Sequence, residues 1–110
     1  MASSNNFWDE LAIQSYKTLL KKNPNNAKIH NNLGLAYQRT GQTRRAIRAF
    51  RKAIRCDASF AEAHYHLGTT YQKSGSVAQA IRCFMQYNKI TKSSSFVVDD
   101  LLNELKAEKV

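Results

Sequence analysis

The stretch Asn32-Leu33-Gly34-Leu35-Ala36-Tyr37 returns thirty-four residues later as His66-Leu67-Gly68-Thr69-Thr70-Tyr71. Aligning residues 27–60 with residues 61–94 gives twelve identical pairs. Ordinary composition would give roughly two such pairs by chance. A fixed period of this length is typical of chains built from stacked structural repeats.

Each repeat carries the pattern of two helices joined by a tight turn. Residues 30, 33, 34 and 37 follow the i, i+3, i+4, i+7 spacing of one helix face, and residues 64, 67, 68 and 71 repeat it. Gly41 and Gly75 come where the first helix must end, because glycine adopts the left-handed conformation without a Cβ clash. A second apolar stripe follows, made in the first repeat by Ala46, Ile47, Phe50, Ala53 and Ile54.

These residues resemble the tetratricopeptide repeat family. The matching positions are Leu33, Gly34, Tyr37, Gly41, Ala46, Phe50 and Ala53, followed by Leu67, Gly68, Tyr71, Gly75, Ala80 and Phe84. The resemblance implies an all-α, right-handed α-solenoid of antiparallel helix hairpins, with about six helices. Small Gly34 and Ala46 on facing stripes should let the paired helices approach closely beside Tyr37 and Phe50.

Two positions depart from the family pattern. Tyr87 stands where Ala53 does, which predicts a bulkier contact at the last repeat junction. Ala58 and Lys92 replace the usual proline between repeats, so the turns depend on residues 57–59 and 93–95.

We divide the chain into four parts within a single domain, residues 1–110. Residues 7–22 form a half-repeat helix that ends at Pro24, residues 27–60 and 61–94 are the two full repeats, and residues 95–108 form a C-terminal capping helix. The half-repeat helix leaves Phe7, Trp8 and Leu11 without a partner in the chain. It either caps the solenoid or docks on a second copy or a ligand helix.

The composition favours a soluble intracellular protein. There is no apolar run long enough for a bilayer and no signal peptide, so we expect a cytoplasmic location, with an organelle stroma left open. Cys56 and Cys83 have neither the number nor the spacing of a disulfide framework or zinc site, and we expect free thiols.

The sequence predicts no enzymatic activity, no catalytic residues, no metal and no cofactor. His64 and His66 are two residues apart, so on a helix they point in different directions and cannot chelate a metal together. His30 and His64 occupy equivalent places beside the inward stripe, where they serve packing. Asp99 and Asp100 open a helix, where carboxylates favour the positive end of the dipole.

The resemblance implies instead a partner-binding groove lined by the first helices of successive repeats. Position by position, the predicted groove residues are Lys28, Asn31, Asn32, Leu35 and Arg39, then Glu62, Tyr65, His66, Thr69 and Lys73, with Phe96, Asp99 and Asn103 at the far end. The predicted function is therefore a protein-binding adaptor or assembly scaffold that holds a peptide or helix of a partner protein.

One subclass of the family grips the C-terminal carboxylate of heat-shock chaperones with two lysines, two asparagines and an arginine. Asn32 matches one of these places, but Glu62 and His66 stand where lysine and arginine are needed. The sequence therefore argues against a chaperone-tail receptor.

The charge pattern offers two alternatives. The net charge is +9, and between Leu11 and Cys56 there are eleven Lys or Arg residues and no acid. A basic ridge on the second helix is either a solvated outer face or an anion-binding surface; its residues are Arg44, Arg48, Arg51, Lys52 and Arg55. It could bind an acidic protein segment, RNA or another polyanion, an anionic membrane, or the acidic C-terminal helix of a second copy. A homo-oligomer could form in that last way or through Phe7, Trp8 and Leu11.

Overall fold

The computed structural model describes residues 6–92 and 96–108, which form six α-helices and no strand. These are α1 (Asn6–Lys22), α2 (Ala27–Arg39), α3 (Thr43–Cys56), α4 (Ala61–Lys73), α5 (Val77–Thr91) and α6 (Phe96–Glu108). The prediction of an all-α helical repeat solenoid with six helices is confirmed. The pairs α2–α3 and α4–α5 fall inside the predicted repeats 27–60 and 61–94.

Consecutive helices pack against each other along the whole chain, and α2 also contacts α4 directly. The helix pairs within a repeat are held closely together at their glycines. A Cβ atom added to Gly34 would lie 2.6–2.9 Å from ring atoms of Phe50, and one added to Gly68 would lie 2.8–3.0 Å from the ring of Phe84. Because both rings are 0% exposed, they fill the space that each glycine leaves. This confirms the close approach predicted for Gly34.

The turn inside each repeat has the same backbone hydrogen bonds. Gly41 N–H donates to Gln38 O at 3.1 Å and Gln42 N–H donates to Tyr37 O at 2.9 Å. Gly75 and Ser76 repeat these bonds in the second hairpin. The pattern is the Schellman motif, which needs a left-handed residue at its centre. The two glycines supply it with φ angles of 77° and 85°.

The turns between repeats are tied to the core by two equivalent histidines. His30 Nε2 lies 2.8 Å from Pro24 O, and His64 Nε2 lies 3.0 Å from Ala58 O. A carbonyl accepts only, so Nε2 carries the proton in each bond. Both side chains are buried, which confirms their structural role.

The turn between the two full repeats lacks proline and is stabilised by its own side chains. Asp57 Oδ1 accepts hydrogen bonds from Ser59 N–H at 3.1 Å and Ser59 Oγ at 2.8 Å. This confirms that residues 57–59 set the turn. The corresponding residues 93–95 lie outside the described residues.

The core consists of two clusters. The first is centred on Phe50 and is built from α1 to α4. The second is centred on Phe84 and includes Val98, Leu102 and Leu105 of α6. Tyr71 packs against both clusters, so it joins the two repeats. Within the described ranges, no helix is long and apolar enough to cross a bilayer.

Candidate functional site

The predicted groove lies on α2 and α4, which we call the inner wall. The two helices are tied by a hydrogen bond of 2.8 Å from Gln38 Nε2 to Thr70 Oγ1. Thr70 in turn donates to His66 O at 2.8 Å, which fixes the orientation of its hydroxyl. Among the described helices, α6 makes backbone contacts with α5 alone. The backbone of α6 therefore does not cross the inner wall.

Most of the predicted groove residues reach the surface of this wall. Lys28, Arg39, Glu62 and Lys73 are exposed. The half-buried members form the floor between these charges; they are Asn32, Leu35, Tyr65, His66 and Thr69. Leu35 also packs against the first core cluster, so only part of its side chain is available.

Asn31 is placed differently from the sequence expectation. Its side chain is only 3% exposed, so it does not present an amide to the surface. Its Oδ1 is buried and accepts no hydrogen bond from any described residue. Helix periodicity did not separate Asn31 from its exposed neighbours, because position 31 lies at the edge of the apolar stripe.

Arg39 forms an ion pair within the chain. Its Nε donates to Asp9 Oδ1 of α1 at 2.9 Å, with the carboxylate side chain 13% exposed and the guanidinium side chain 56% exposed. Solvent-exposed pairs of this kind contribute about 0.2–1 kcal/mol. Arg39 therefore keeps donors free for a ligand, although its position is set by α1.

A cluster of contacting aromatic side chains extends from the core to the inner wall. His66 stacks on Phe50 with ring centroids 5.8 Å apart and an interplanar angle of 26°. Tyr65 contacts His66 at 5.6 Å, Phe84 at 5.8 Å and Tyr87 at 5.6 Å. The Tyr65–Tyr87 contact lies within the second repeat, so the bulkier contact expected of Tyr87 at the last repeat junction stays a prediction. These contacts hold two half-buried rings in fixed positions.

Burial determines the protonation state of His66. Desolvation lowers the pKa of His66 below its ordinary value of 6.5, and the nearby carboxylate of Glu62 opposes the shift only in part. The imidazole is therefore neutral near neutral pH, with one donor and one acceptor nitrogen. A neutral ring can bond a peptide backbone without requiring a charged partner.

At the far end of the predicted groove, one of the polar side chains is hydrogen-bonded within the chain. Asp99 Oδ1 accepts a hydrogen bond from Asn88 Nδ2 at 2.9 Å, while Asn103 is exposed. The side chain of Phe96 is outside the described part of the structure. The best-defined portion of the wall is therefore α2 with α4.

The basic ridge lies on α3 and borders two grooves. The first outer groove runs between α1 and α3, has a volume of about 540 Å³, and contains Arg48, Lys52 and Arg55 of the predicted ridge. The second outer groove runs between α3 and α5, has a volume of about 380 Å³, and contains Arg51 and Arg55. Arg44 lines neither groove; it lies near Gly41 at the start of α3, together with Arg45 and Arg48.

Three further cations line these grooves and were not in the predicted ridge. Lys17 and Arg45 line the first outer groove, and Arg82 lines the second. The repeat period could have found two of them, because Lys17 aligns with Arg51 and Arg82 with Arg48. Among the described residues, no carboxylate lines either groove.

The half-repeat helix exposes an apolar flank. Phe7 is 65% exposed, Trp8 66%, Leu11 50% and Leu19 46%. Phe7 and Trp8 contact each other edge to face at 5.0 Å. Helix α1 buries only its other side, through Ile13, against the first core cluster.

The cysteines are free and half-buried. Burial raises the pKa of the Cys83 thiol to about 11, although the neighbouring Arg82 and Arg51 oppose the shift. Cys83 is therefore a thiol rather than a thiolate at neutral pH. Over the described ranges, no three His, Cys, Asp or Glu side chains come together as a metal site.

The fold is shared with solved structures of peptide-binding proteins. The translocator chaperone SycD of Yersinia enterocolitica type III secretion superposes with a TM-score of 0.87 at 18% identity, over 98% of this chain and 80% of SycD. SycD in complex with a peptide of the translocator YopD gives a TM-score of 0.89 at 18% identity, over 99% and 89%. The first TPR of Spaghetti (RPAP3), bound to the HSP90 peptide SRMEEVD, gives 0.85 at 16% identity, over 97% and 86%.

At this level of identity the structural likeness establishes the fold. No curated protein sequence matches the chain. Sequence profiles for repeats do match: one described as a TPR repeat matches residues 9–41 and 39–75, and one described as a tetratricopeptide repeat matches residues 61–93. Together these matches span most of the sequence. The chain belongs to the tetratricopeptide repeat family.

Proposed function

We propose that this protein is a non-enzymatic adaptor or assembly scaffold that binds a short segment of a partner protein along the inner wall. The observation that carries the proposal is the surface of α2 and α4, where half-buried polar and aromatic side chains stand side by side. The two helices are fixed to each other by Gln38 and Thr70, so the wall is formed before a ligand arrives. Preorganisation of this kind reduces the entropic cost of binding.

The side chains of the wall suit an extended or helical segment. The Asn32 amide can donate to a backbone carbonyl and accept from a backbone N–H. Tyr65 offers a flat apolar face that Tyr87 and Phe84 hold in place. Lys28 and Lys73 add exposed positive charges, one on each helix. The wall therefore combines backbone recognition with one aromatic anchor, the residue class that dominates many interfaces.

The neighbours of this fold support peptide binding and leave the partner open. SycD and Spaghetti are described with bound peptides of their own partners. We do not propose the HSP90 peptide as a ligand of this chain, because Glu62 and His66 occupy places where that type of clamp needs lysine and arginine. The half-buried, neutral imidazole of His66 also offers no positive charge to a terminal carboxylate.

Selection from a displayed library of random peptides tests the proposal. Peptides that bind the protein are synthesised, and their affinity is measured for the double variant Asn32→Ala/Thr69→Ala. We expect at least about tenfold weaker binding, which corresponds to about 1.4 kcal/mol. Tyr65 is left intact because its contacts with Phe84 and Tyr87 also support the fold.

The matched control is Arg44→Ala/Gln79→Ala, which truncates two exposed polar side chains away from the inner wall. This variant should keep wild-type affinity. A selection that yields no binding peptide, or peptides that bind both variants equally well, would show that the inner wall is not the site.

Self-association through α1 is the second candidate. It is supported by the exposed flank of Phe7, Trp8 and Leu11, because clustered exposed apolar side chains mark interaction surfaces. Molar mass measured by light scattering over a range of concentrations tests it. A mass that rises with concentration and returns to the monomer in Trp8→Lys supports a homo-oligomer, whereas a monomer throughout removes this candidate.

A further inference from the structure

The first outer groove combines an apolar floor with a basic rim. Its floor is made mainly by Leu20, Pro24, Leu33 and Ala49, from α1, α2 and α3 and the turn between α1 and α2. Its rim carries five cations: Lys17, Arg45, Arg48, Lys52 and Arg55. The volume of about 540 Å³ lies in the range of ligand pockets. None of the predicted groove residues of the inner wall lines this groove.

Within residues 6–92 and 96–108, no carboxylate forms an ion pair with the rim cations. The Arg45 guanidinium donates to the neutral Gln42 Oε1 at 2.6 Å. Across the described residues, the ion pair seen is that of Arg39 with Asp9, which lies outside this groove. Residues 45, 48, 52 and 55 follow each other at i+3 or i+4 along α3, a spacing at which like charges repel. An anionic ligand would relieve that repulsion.

The equivalent groove of the next repeat shows that the fold does not require these charges. Arg48 is kept there as Arg82, but Lys52 becomes Gln86 and Arg45 becomes Gln79. The second outer groove is also smaller, about 380 Å³, and has Cys83 in place of Ala49. The same hairpin architecture thus forms with two fewer cations. The excess of charge is a property of the first outer groove alone.

The chemistry of the groove favours an acidic protein segment over nucleic acid. Single-stranded nucleic acid is usually held by aromatic rings on which bases stack. The described aromatic side chains in this groove, Tyr37 and His30, are only 7% and 5% exposed and so offer no stacking surface. An apolar floor, by contrast, accepts leucine-like or phenylalanine side chains, while the rim pairs with carboxylates.

We propose that the first outer groove binds an acidic amphipathic segment of a partner protein, independently of the inner wall. One or two apolar side chains of the segment enter the floor between α1 and α3. Its carboxylates lie against Arg48, Lys52 and the other rim cations. The protein then has two docking faces, and it can hold two segments of one partner or of two partners at once.

A short fluorescein-labelled peptide with glutamates and leucines at helical spacing tests this proposal by fluorescence anisotropy. The variant Arg48→Glu/Lys52→Glu should weaken binding at least about tenfold, because it reverses two rim charges. Both side chains are exposed, so the fold should be kept, which circular dichroism and thermal unfolding will check.

Two variants with the same change in net charge serve as controls. Lys89→Glu/Lys106→Glu alters exposed lysines outside both grooves, and Lys28→Glu/Lys73→Glu alters the inner wall. Wild-type affinity in both supports the proposal. Equal losses in all three variants would mean unspecific attraction, and a loss confined to the inner-wall variant would place the peptide there; either result overturns it.

Two further probes decide the chemistry of the ligand. An oligoglutamate without leucines should bind more weakly than the amphipathic peptide, and equal affinity would contradict a role for the apolar floor. A short oligouridine RNA should bind more weakly as well. Tighter RNA binding that Arg48→Glu/Lys52→Glu removes would replace the acidic protein segment by nucleic acid and overturn the proposal.

Discussion

Phe50 in the first repeat and Phe84 in the second make the same contact, each filling the space beside a glycine of the paired helix. Residues 31 and 65 also occupy equivalent positions in the two repeats, but their side chains have different surroundings. Asn31 is buried with an unpartnered oxygen, whereas Tyr65 rises into the inner wall and contacts Tyr87. Positions that hold a hairpin together are therefore repeated, whereas positions of the predicted groove differ between repeats.

The largest expected effect comes from removing the repeated ring. Phe50→Ala and Phe84→Ala should each destabilise the protein by about 3–5 kcal/mol, because the ring is fully buried and its glycine partner cannot fill the cavity. Urea unfolding measures both. Each ring also has an aromatic contact, Phe50 with His66 and Phe84 with Tyr65, so the two losses should be similar. A loss below that of an exposed-site control such as Met85→Ala would contradict this packing.

The next largest effect is expected at the two glycines that contact these rings, Gly34 and Gly68. Gly34→Ala should destabilise by about 1–3 kcal/mol, because the new methyl group meets a ring that has no room to move. Gly68→Ala should cost less, since its nearest ring atom lies at 2.8 Å instead of 2.6 Å. The intrinsic helix preference for alanine offsets about 1 kcal/mol in both variants. Equal or increased stability in Gly34→Ala would show that the hairpin is looser than the contacts imply.

The packing of the hairpins could be predicted from the sequence, whereas the outer surfaces could not. The period of the chain places Gly34 opposite Phe50 and repeats that pairing at Gly68, and helix periodicity selects the buried faces. It does not give the rotation of one hairpin relative to the next. That rotation decides that Asn31 is buried, that Gln38 reaches Thr70, and that Lys17 of α1 joins Arg48 of α3 in one groove.

The two equivalent positions 32 and 66 differ in their response to pH. Burial lowers the pKa of His66 in the folded state, so the unfolded chain takes up the proton first as the pH falls. The free energy of unfolding should therefore decrease as the pH falls below about 6.5, the ordinary histidine value. His66→Asn, which copies residue 32, should flatten that decrease in urea unfolding at several pH values.

The matched control for this comparison is Asn32→Gln, which changes the non-titrating partner and should keep the wild-type pH dependence. If His66→Asn left the slope unchanged as well, the imidazole would not be desolvated in the folded state.

The smallest expected effect comes from the surface charges of α3. Arg45→Gln/Lys52→Gln gives the first repeat the residues that the second repeat carries at positions 79 and 86. It should stabilise the protein by about 0.2–0.5 kcal/mol for each like-charged pair removed. The gain should shrink at high salt, because exposed charges are then screened. A loss of stability would mean that these cations have stabilising partners within the chain.

Backbone amide chemical shifts, recorded while a library-selected peptide is titrated into the isotope-labelled protein, test the proposed inner-wall site most directly. We predict that the largest changes lie in α2 and α4, around Asn32, His66 and Thr69. Largest changes in α1 and α3, or in α5 and α6, with α2 and α4 unaffected, would contradict the account.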